Sequence, residues 1–503
     1  MGSTDSRSDP EGALLDPAAR KAPPERAGAR QLAINVIAGG SGNIIKVVVQ
    51  LVMLPVMARL LGPAEFGIYG LALPTVAFFT ILADAGMSVS LARERTQSSV
   101  VWSTAFWLMA GVGILLASIV TGWGFVVAEM SGEPKIRTIM ATLSLSLLFL
   151  TASMLPSARI TQQGRLFILS AADVTATLIG SVVAVILALQ GAGAMSLAAQ
   201  YVSTFFIRAV ILNACAFVRP TFEFKLSQIR HHISMGTSII ASRLADFSGR
   251  LIENLIYGRA FGVAALGTFT FANQVPRFLG EAASNPIWAA LYAHSLREEG
   301  AGVAAVHLKL TYILSLLLAP IAFILPPAVP ILVASLLGPK WQEASVLLQI
   351  LIPFYILNVV SAQSGAILLA RGFGWTLFWI TFVLLVGRIG AVYVGGSLSP
   401  VVVVTGIGLV HIVFSGLMIA VPARHRMVAA APLLSSLAKT SGSAAVAGIG
   451  CGLLLGLLPP TLVCAALAMA GGFALYCLLL LALDGRRVMN EGLALVRLLT
   501  RRG

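Results

Sequence analysis

Arg59-Leu-Leu-Gly-Pro-Ala-Glu-Phe-Gly-Ile-Tyr69 recurs as Arg259-Ala-Phe-Gly-Val-Ala-Ala-Leu-Gly-Thr-Phe269, and each copy joins two long apolar segments. At this one offset of 200 positions Arg59/Arg259, Gly62/Gly262, Ala64/Ala264, Gly67/Gly267 and Ala72/Ala272 are identical, and Arg30/Arg230 keeps the register upstream. Gly62 with Pro63 stops a helix, Gly67 allows a tight turn, Arg59 can snorkel, and Phe66 and Tyr69 suit headgroup depth. A duplicated hairpin in an apolar chain predicts a two-lobed transporter with its substrate path between the halves.

The 503 residues are 58% hydrophobic and 11% charged. Their mean hydropathy of +0.91 exceeds what one soluble core can hide. The expectation is an all-α polytopic membrane protein of about fourteen transmembrane helices. The net charge of +14 does not indicate a nucleic-acid partner, because the basic residues sort by topology. With the N-terminus in the cytoplasm, only Arg59, Lys135, Arg137, Arg259 and Lys340 fall in external segments. That is the positive-inside bias, and it predicts both termini in the cytoplasm. Cys215, Cys451, Cys464 and Cys477 lie in apolar spans without ligand spacing and read as small core residues, with no metal site.

Residues 1–31 carry Pro, Gly, Ser and mixed charge and read as a disordered cytoplasmic tail. Residues 32–218 hold six spans, 219–232 form a basic linker, and 233–423 hold six more. Because six is even, the second set enters with the same orientation, so the repeat is parallel. Residues 424–483 add two helices outside the duplication, and 484–503 form a basic tail. Pro and Gly inside the spans, such as Pro74, Pro276, Pro320 and Pro330, permit kinks. The external loops are turns or short segments, too small for a catalytic domain.

The seventh span, Ile233 to Gly258, contains Arg243, Asp246, Arg250 and Glu253, all on one helical face. Each would cost roughly 2.5–3.5 kcal/mol at the bilayer centre, so they must face a partner or water. A ladder of internal ion pairs satisfies that demand, and so does a hydrated cavity for an anionic substrate. Other spans add Lys46 with Asn43, Arg208, Arg277 with Glu281, and Arg388. The repeat aligns Asn43 with Arg243 and Lys46 with Asp246, which puts polar groups where two lobes would meet. The surplus is cationic, and guanidinium groups suit a phosphate or diphosphate. Arg208 and Arg388 stand nearer span ends, where they can also snorkel. Asp84 and Asp173 read as helix-end or interfacial carboxylates. With Asp246, Glu253 and Glu281 they are also the candidates for an ion-coupling site. His411 alone among the histidines lies within a span, and packing is its expected role. Neither an ATP-binding motif nor a nucleophile or cofactor motif occurs.

The run Leu54 to Ala72, then Ile81-Leu-Ala-Asp-Ala-Gly-Met-Ser88 and Leu91-Ala-Arg-Glu94, resembles the N-terminal signature of bacterial Wzx-type O-antigen and exopolysaccharide flippases. These belong to the multidrug/oligosaccharidyl-lipid/polysaccharide superfamily. The likeness is strong over about residues 32–95, weaker at Ile256 to Phe271, and elsewhere one of span number. It implies a MATE/MurJ-like fold of two six-helix lobes plus two C-terminal helices, which in relatives can form a groove for a lipid tail. It also implies translocation of an undecaprenyl-diphosphate-linked glycan between leaflets of the inner membrane. Lys46, Arg243, Arg250 and Arg277 would line a cationic cavity. Partners would be membrane lipids, a polysaccharide polymerase and a chain-length regulator. Multidrug or toxin extrusion shares the architecture but favours cationic substrates. A peptidoglycan-precursor flippase is a near neighbour, and a membrane polymerase or glycosyltransferase would require larger external loops. A reporter active only outside the inner membrane, fused after residue 503, is expected to be silent; activity there would overturn the topology.

Overall fold

The computed structural model describes the backbone of residues 42, 45–84, 91, 99–225, 237–298 and 300–500. Asn43 and the side chains of Asp84, Arg243 and Asp246 lie outside the described residues. The regular elements are helices: α1 (45–61), α2 (Pro63–Asp84), α3 (Ser99–Ser131), α4 (Lys135–Gln162), α5 (Leu166–Leu189), α6 (Ala194–Ala216) and α7 (Thr237–Ser295). They continue with α8 (Ala301–Leu336), α9 (Gln342–Ser361), α10 (Ser364–Ala370), α11 (Gly374–Gly395), α12 (Pro400–Arg424), α13 (Ala430–Leu457) and α14 (Leu462–Thr500). Among the described residues twelve helices are long and apolar enough to cross a membrane, and the chain is a multi-pass membrane protein.

The 59 residues of α7 would extend on the order of 90 Å if straight, about three times the hydrocarbon core. The helix breaks at Gly262, whose φ of 85° and ψ of 169° leave the helical region. Gly62, at the same register of the first copy, has φ 78° and separates α1 from α2. Both hairpins therefore turn on a glycine with positive φ, which a residue carrying Cβ adopts only with strain.

The two copies also touch reciprocally. A methyl group on Gly67 would overlap the Val263 carbonyl, and one on Gly267 would overlap the Pro63 carbonyl. Exchanging each residue for its counterpart in the other copy, 67 for 267 and 263 for 63, turns one contact into the other, as a two-fold relation requires. Around this backbone contact Phe66, Phe271 and Trp341 form a ring cluster, with Trp341 centred 5.3 Å from Phe66 and 4.9 Å from Phe271. Trp341 Nε1 donates to the Ala58 carbonyl at 2.9 Å. Glu65 ties the same end of the amino-terminal half together, accepting from Lys135 Nζ at 2.9 Å and from Ala194 N, at the start of α6, at 2.7 Å. Arg59 Nη1 reaches the Leu336 carbonyl at 3.5 Å. The motif is thus built into the seam between the halves. Phe66 is buried in the seam, its ring against Phe271 and Trp341.

Outside the seam, α3, α4 and α6 pack on α2, with α5 held mainly by α6, while α8, α9 and α11 pack on α7, with α12 held by α9 and α11. Helices α13 and α14 add to the second group through α8. Prolines inside these helices follow a recurring pattern. Each removes the N–H that would have bonded the carbonyl four residues earlier. Pro74 leaves Gly70 O, and Asn254 Nδ2 donates to it at 2.7 Å; Pro156 leaves Ala152 O, and Asn213 Nδ2 reaches it at 3.1 Å. Pro330 leaves Pro326 O to Gln349 Nε2 at 3.0 Å, and Pro320 leaves Leu316 O to the Tyr476 hydroxyl at 3.0 Å. At these four positions a neighbouring helix satisfies the freed carbonyl, as hydrocarbon surroundings demand.

Gly67→Ala and Gly267→Ala are each expected to destabilise the detergent-solubilised protein by about 2–4 kcal/mol, and the double variant by much less than the sum, since both open one seam. Thermal unfolding of the three variants checks this, and full additivity would contradict the reciprocal contact.

Candidate functional site

Two adjoining cavities lie between the halves, on the side of the seam away from the hairpin turns. The amino-side cavity, about 550 Å³, is lined from α1, α2, α4 to α6 and the second arm of α7. The carboxy-side cavity, about 230 Å³, is lined from α2, both arms of α7, α9, α11 and α12. Tyr69, Leu73, Gln274 and Arg277 belong to both walls, so the two chambers meet at α2 and the second arm of α7.

The amino-side wall carries Lys46, Asp173 and Arg208. Arg208 Nε donates to Asp173 Oδ1 at 2.7 Å, while Nη1 and Nη2 reach Ser153 and Ser157 at 2.9 and 3.4 Å. The two residues expected near span ends, one of them as a lone carboxylate, are thus a pair facing the cavity. Sequence spacing does not show this, since α5 and α6 bring them together over 35 positions.

The carboxy-side wall carries Arg250, Glu253, Arg277, Glu281 and Arg388. Glu253, 1% exposed, pairs with Arg388 Nη2 at 2.5 Å across to α11. Arg388 therefore faces inward, because a buried carboxylate holds a guanidinium more strongly than snorkelling would. Arg250 places its guanidinium 4.5 Å from the centre of the Phe247 ring, and Arg277 lies 5.8 Å from that of Phe278. Such rings sustain a cation where water is scarce.

Of the residues singled out from sequence, Lys46, Arg250, Arg277, Glu253, Glu281 and Asp173 all line one or both chambers. Asn43, and the side chains of Arg243, Asp246 and Asp84, lie outside the described residues. Sequence reasoning missed the uncharged lining: Gln50, Gln200, Gln274, Asn273 and Tyr201, with Tyr355 and Asn358 deeper on the carboxy side. Tyr69, not singled out for the site from sequence, stands at the junction of the chambers. His411 was expected to pack only, and it also lines the carboxy-side wall, edge-on to Tyr355 at 5.8 Å. Amides and lone aromatics inside apolar spans were the available signal, but one polar residue per span carries no period. Among the described residues no group of His, Cys, Asp and Glu could hold a metal ion.

Residues 56–346 match the family described as polysaccharide biosynthesis protein. The succinoglycan biosynthesis transport protein ExoT of Rhizobium meliloti (strain 1021) is 23% identical over 356 residues, 68% of this chain and 70% of the relative. The lipopolysaccharide biosynthesis protein WzxC of Escherichia coli (strain K12) is 22% identical over 383 residues, 74% of this chain and 76% of the relative. The fold resembles the lipid II flippase MurJ in an inward closed conformation, with TM-score 0.69 at 10% identity, covering 91% of this chain and all 100% of that one. It also resembles an inward-facing multidrug resistance MATE transporter of the MOP superfamily, with TM-score 0.59 at 16% identity, covering 79% of this chain and 96% of that one. The protein is a membrane transporter rather than an enzyme.

Arg388→Met is expected to destabilise the protein by about 3–5 kcal/mol by stripping the buried Glu253 of its guanidinium, and adding Glu253→Gln should restore most of the loss. Thermal unfolding in detergent reads both variants; an Arg388→Met protein as stable as the parent would contradict the pairing.

Proposed function

This chain belongs to the polysaccharide biosynthesis protein family, and from that membership we propose that it flips a polyprenyl-diphosphate-linked oligosaccharide across the bacterial inner membrane by alternating access. The product would serve O-antigen, capsule or exopolysaccharide assembly. The observation that carries this reading is the pair of cation-bearing chambers joined at Arg277. Five basic side chains, Lys46, Arg208, Arg250, Arg277 and Arg388, stand against the acidic Asp173, Glu253 and Glu281. A diphosphate, with its closely spaced negative charges, gains most from converging guanidinium and ammonium groups held away from water. Organic cations, the usual cargo of multidrug extrusion, would meet repulsion.

The uncharged lining suits the glycan. Gln50, Gln200, Asn273 and Gln274 offer both donors and acceptors to sugar hydroxyls, and Tyr69 and Tyr201 offer flat faces for pyranose rings. The amino-side chamber, the larger of the two, would take the sugars while Arg250 and Arg277 hold the diphosphate. The positive-inside bias puts the closed hairpin end outside, so the chambers would open toward the cytoplasm, where such substrates are made. Counting 45–61 and the two arms of α7 as separate passes makes fourteen, with both termini cytoplasmic. A polymerase and a chain-length regulator on the outer side would consume the product. An ion gradient would drive the cycle, with Asp173, Glu253 and Glu281 as the described coupling candidates.

Arg250→Gln and Arg277→Gln are each expected to lower transport about ten- to a hundredfold, the effect of losing one charge-assisted contact of roughly 1.5–3 kcal/mol. The measurement is outward delivery of a labelled polyprenyl-diphosphate oligosaccharide in proteoliposomes, with membrane levels of each variant matched. Parental transport by both variants would overturn the assignment of these cations to the substrate.

A further inference from the structure

Two side chains, one from each arm of α7, stand at a single carbonyl of α2. Pro74 leaves Gly70 O without an intrahelical donor. Asn254 Nδ2, on the first arm, donates to it at 2.7 Å. Thr270, on the second arm, is the counterpart of Gly70 at the offset of 200 positions, and the two meet across the seam. A Cβ on Gly70 would stand 2.6 Å from Thr270 Oγ1. That oxygen is buried and has no hydrogen-bond partner among the described residues. A buried hydroxyl left idle costs free energy, so a conformation that employs it is favoured by that amount. The offset also explains why one half alone carries the arrangement: Gln274 stands where Pro74 would repeat, and its N–H remains for the Thr270 carbonyl. Gly70, Pro74, Asn254 and Thr270 all line the carboxy-side chamber. Arg250 lines it too, one helical turn from Asn254 on the same face.

We infer that the Gly70 carbonyl passes from Asn254 to Thr270 when the halves part at the hairpin end, and that an anion seated at Arg250 starts the transfer by drawing the Asn254 amide toward itself. The inference rests on the flippase reading, which supplies both the anion and the outward-open state. With the hairpins in contact, as in this structure, Asn254 holds the carbonyl and Thr270 is idle. A phosphate oxygen accepts more strongly than a peptide carbonyl, because the bond to it is charge-assisted. It therefore competes for an amide that bonds across the seam. Once Asn254 lets go, α2 is no longer tied to the first arm of α7. The carbonyl cannot stay bare in hydrocarbon surroundings, and the Thr270 hydroxyl is the donor already against Gly70. Asn254 thus acts as a positioning residue that makes occupancy of the chamber felt at the seam.

The test uses the full-length protein in proteoliposomes, with Cys215, Cys451, Cys464 and Cys477 each changed to Ala. Spin labels are attached through Ala64→Cys and Ala264→Cys, exposed counterparts that adjoin the reciprocal contact, and their separation is read by pulsed electron paramagnetic resonance. Asn254→Leu is expected to raise the ratio of parted to touching hairpins about tenfold, and Thr270→Val to lower it about tenfold. The double variant should return near the parent, because the carbonyl then lacks a donor in either state, and Thr270→Ser should match the parent. A polyprenyl-diphosphate oligosaccharide is expected to raise the ratio in the parent and to add little in Asn254→Leu. Thr270→Val is isosteric, so its shift alone decides the transfer if Asn254→Leu fails to reach the membrane. Parental distances in both single variants would overturn the transfer, while a parent that still responds to substrate would keep the flippase reading. Distances broadened in every variant, the double included, would mean a seam merely loosened and would also overturn it. Variants that shift as expected in a protein that ignores the substrate would uphold the transfer and overturn the anion as its trigger, together with the flippase reading.

Discussion

The backbone of one hairpin rests directly on the backbone of its repeat, Gly67 on Val263 and Gly267 on Pro63. Without a hydrophobic drive between helices in lipid, association depends on close van der Waals contact, which small residues permit. Here two glycines let backbone meet backbone at the crossing, so the halves meet at one end and the charged chambers form beyond it. A Cβ at either position would move backbone against backbone, and nothing flexible is available to absorb the shift. The aromatic cluster of Phe66, Phe271 and Trp341 and the Glu65 staple then hold the same end.

Proline is the second constraint. Of the carbonyls that proline deprives of an intrahelical donor, four regain one from a neighbouring side chain, an amide in three cases and a phenol in the fourth. The pairs Asn213 to Ala152, Gln349 to Pro326 and Tyr476 to Leu316 each join helices within one packing group. Asn254 to Gly70 differs, because it spans from α7 to α2 across the seam. Any movement that parts these helices must break that bond and offer the carbonyl another partner, so a local kink in α2 is tied to the relation between the halves.

The internal charges divide by the same geometry. Among the described residues, each half shows a close pair facing a chamber, Arg208 with Asp173 and Arg388 with Glu253. Each pair keeps a charged helix tolerable inside the membrane while lining a chamber. Arg277 lies at their junction, on the helix arm that follows Gly262. A single anion bridging the chambers would therefore draw on groups from both halves, which is how binding energy acquires a differential effect on two conformations.

Sequence alone determined that the chain spans the membrane many times, that it is duplicated, and that its cationic surplus is internal, because hydropathy, repeat register and charge are properties of the linear order. Arg250, Arg277, Glu253, Glu281 and Lys46 were legible as chamber candidates because a charge inside an apolar span is too costly to leave facing lipid. The partners of Arg208 and Arg388, the inward place of Tyr69 and Phe66, and the glutamine and asparagine lining were not legible. Each depends on which helices become neighbours, and pairing across 135 positions, as between Glu253 and Arg388, leaves no local signature. Only the tertiary structure decided those contacts, because packing in three dimensions settles whether a polar group meets lipid, a cavity or a counter-charge.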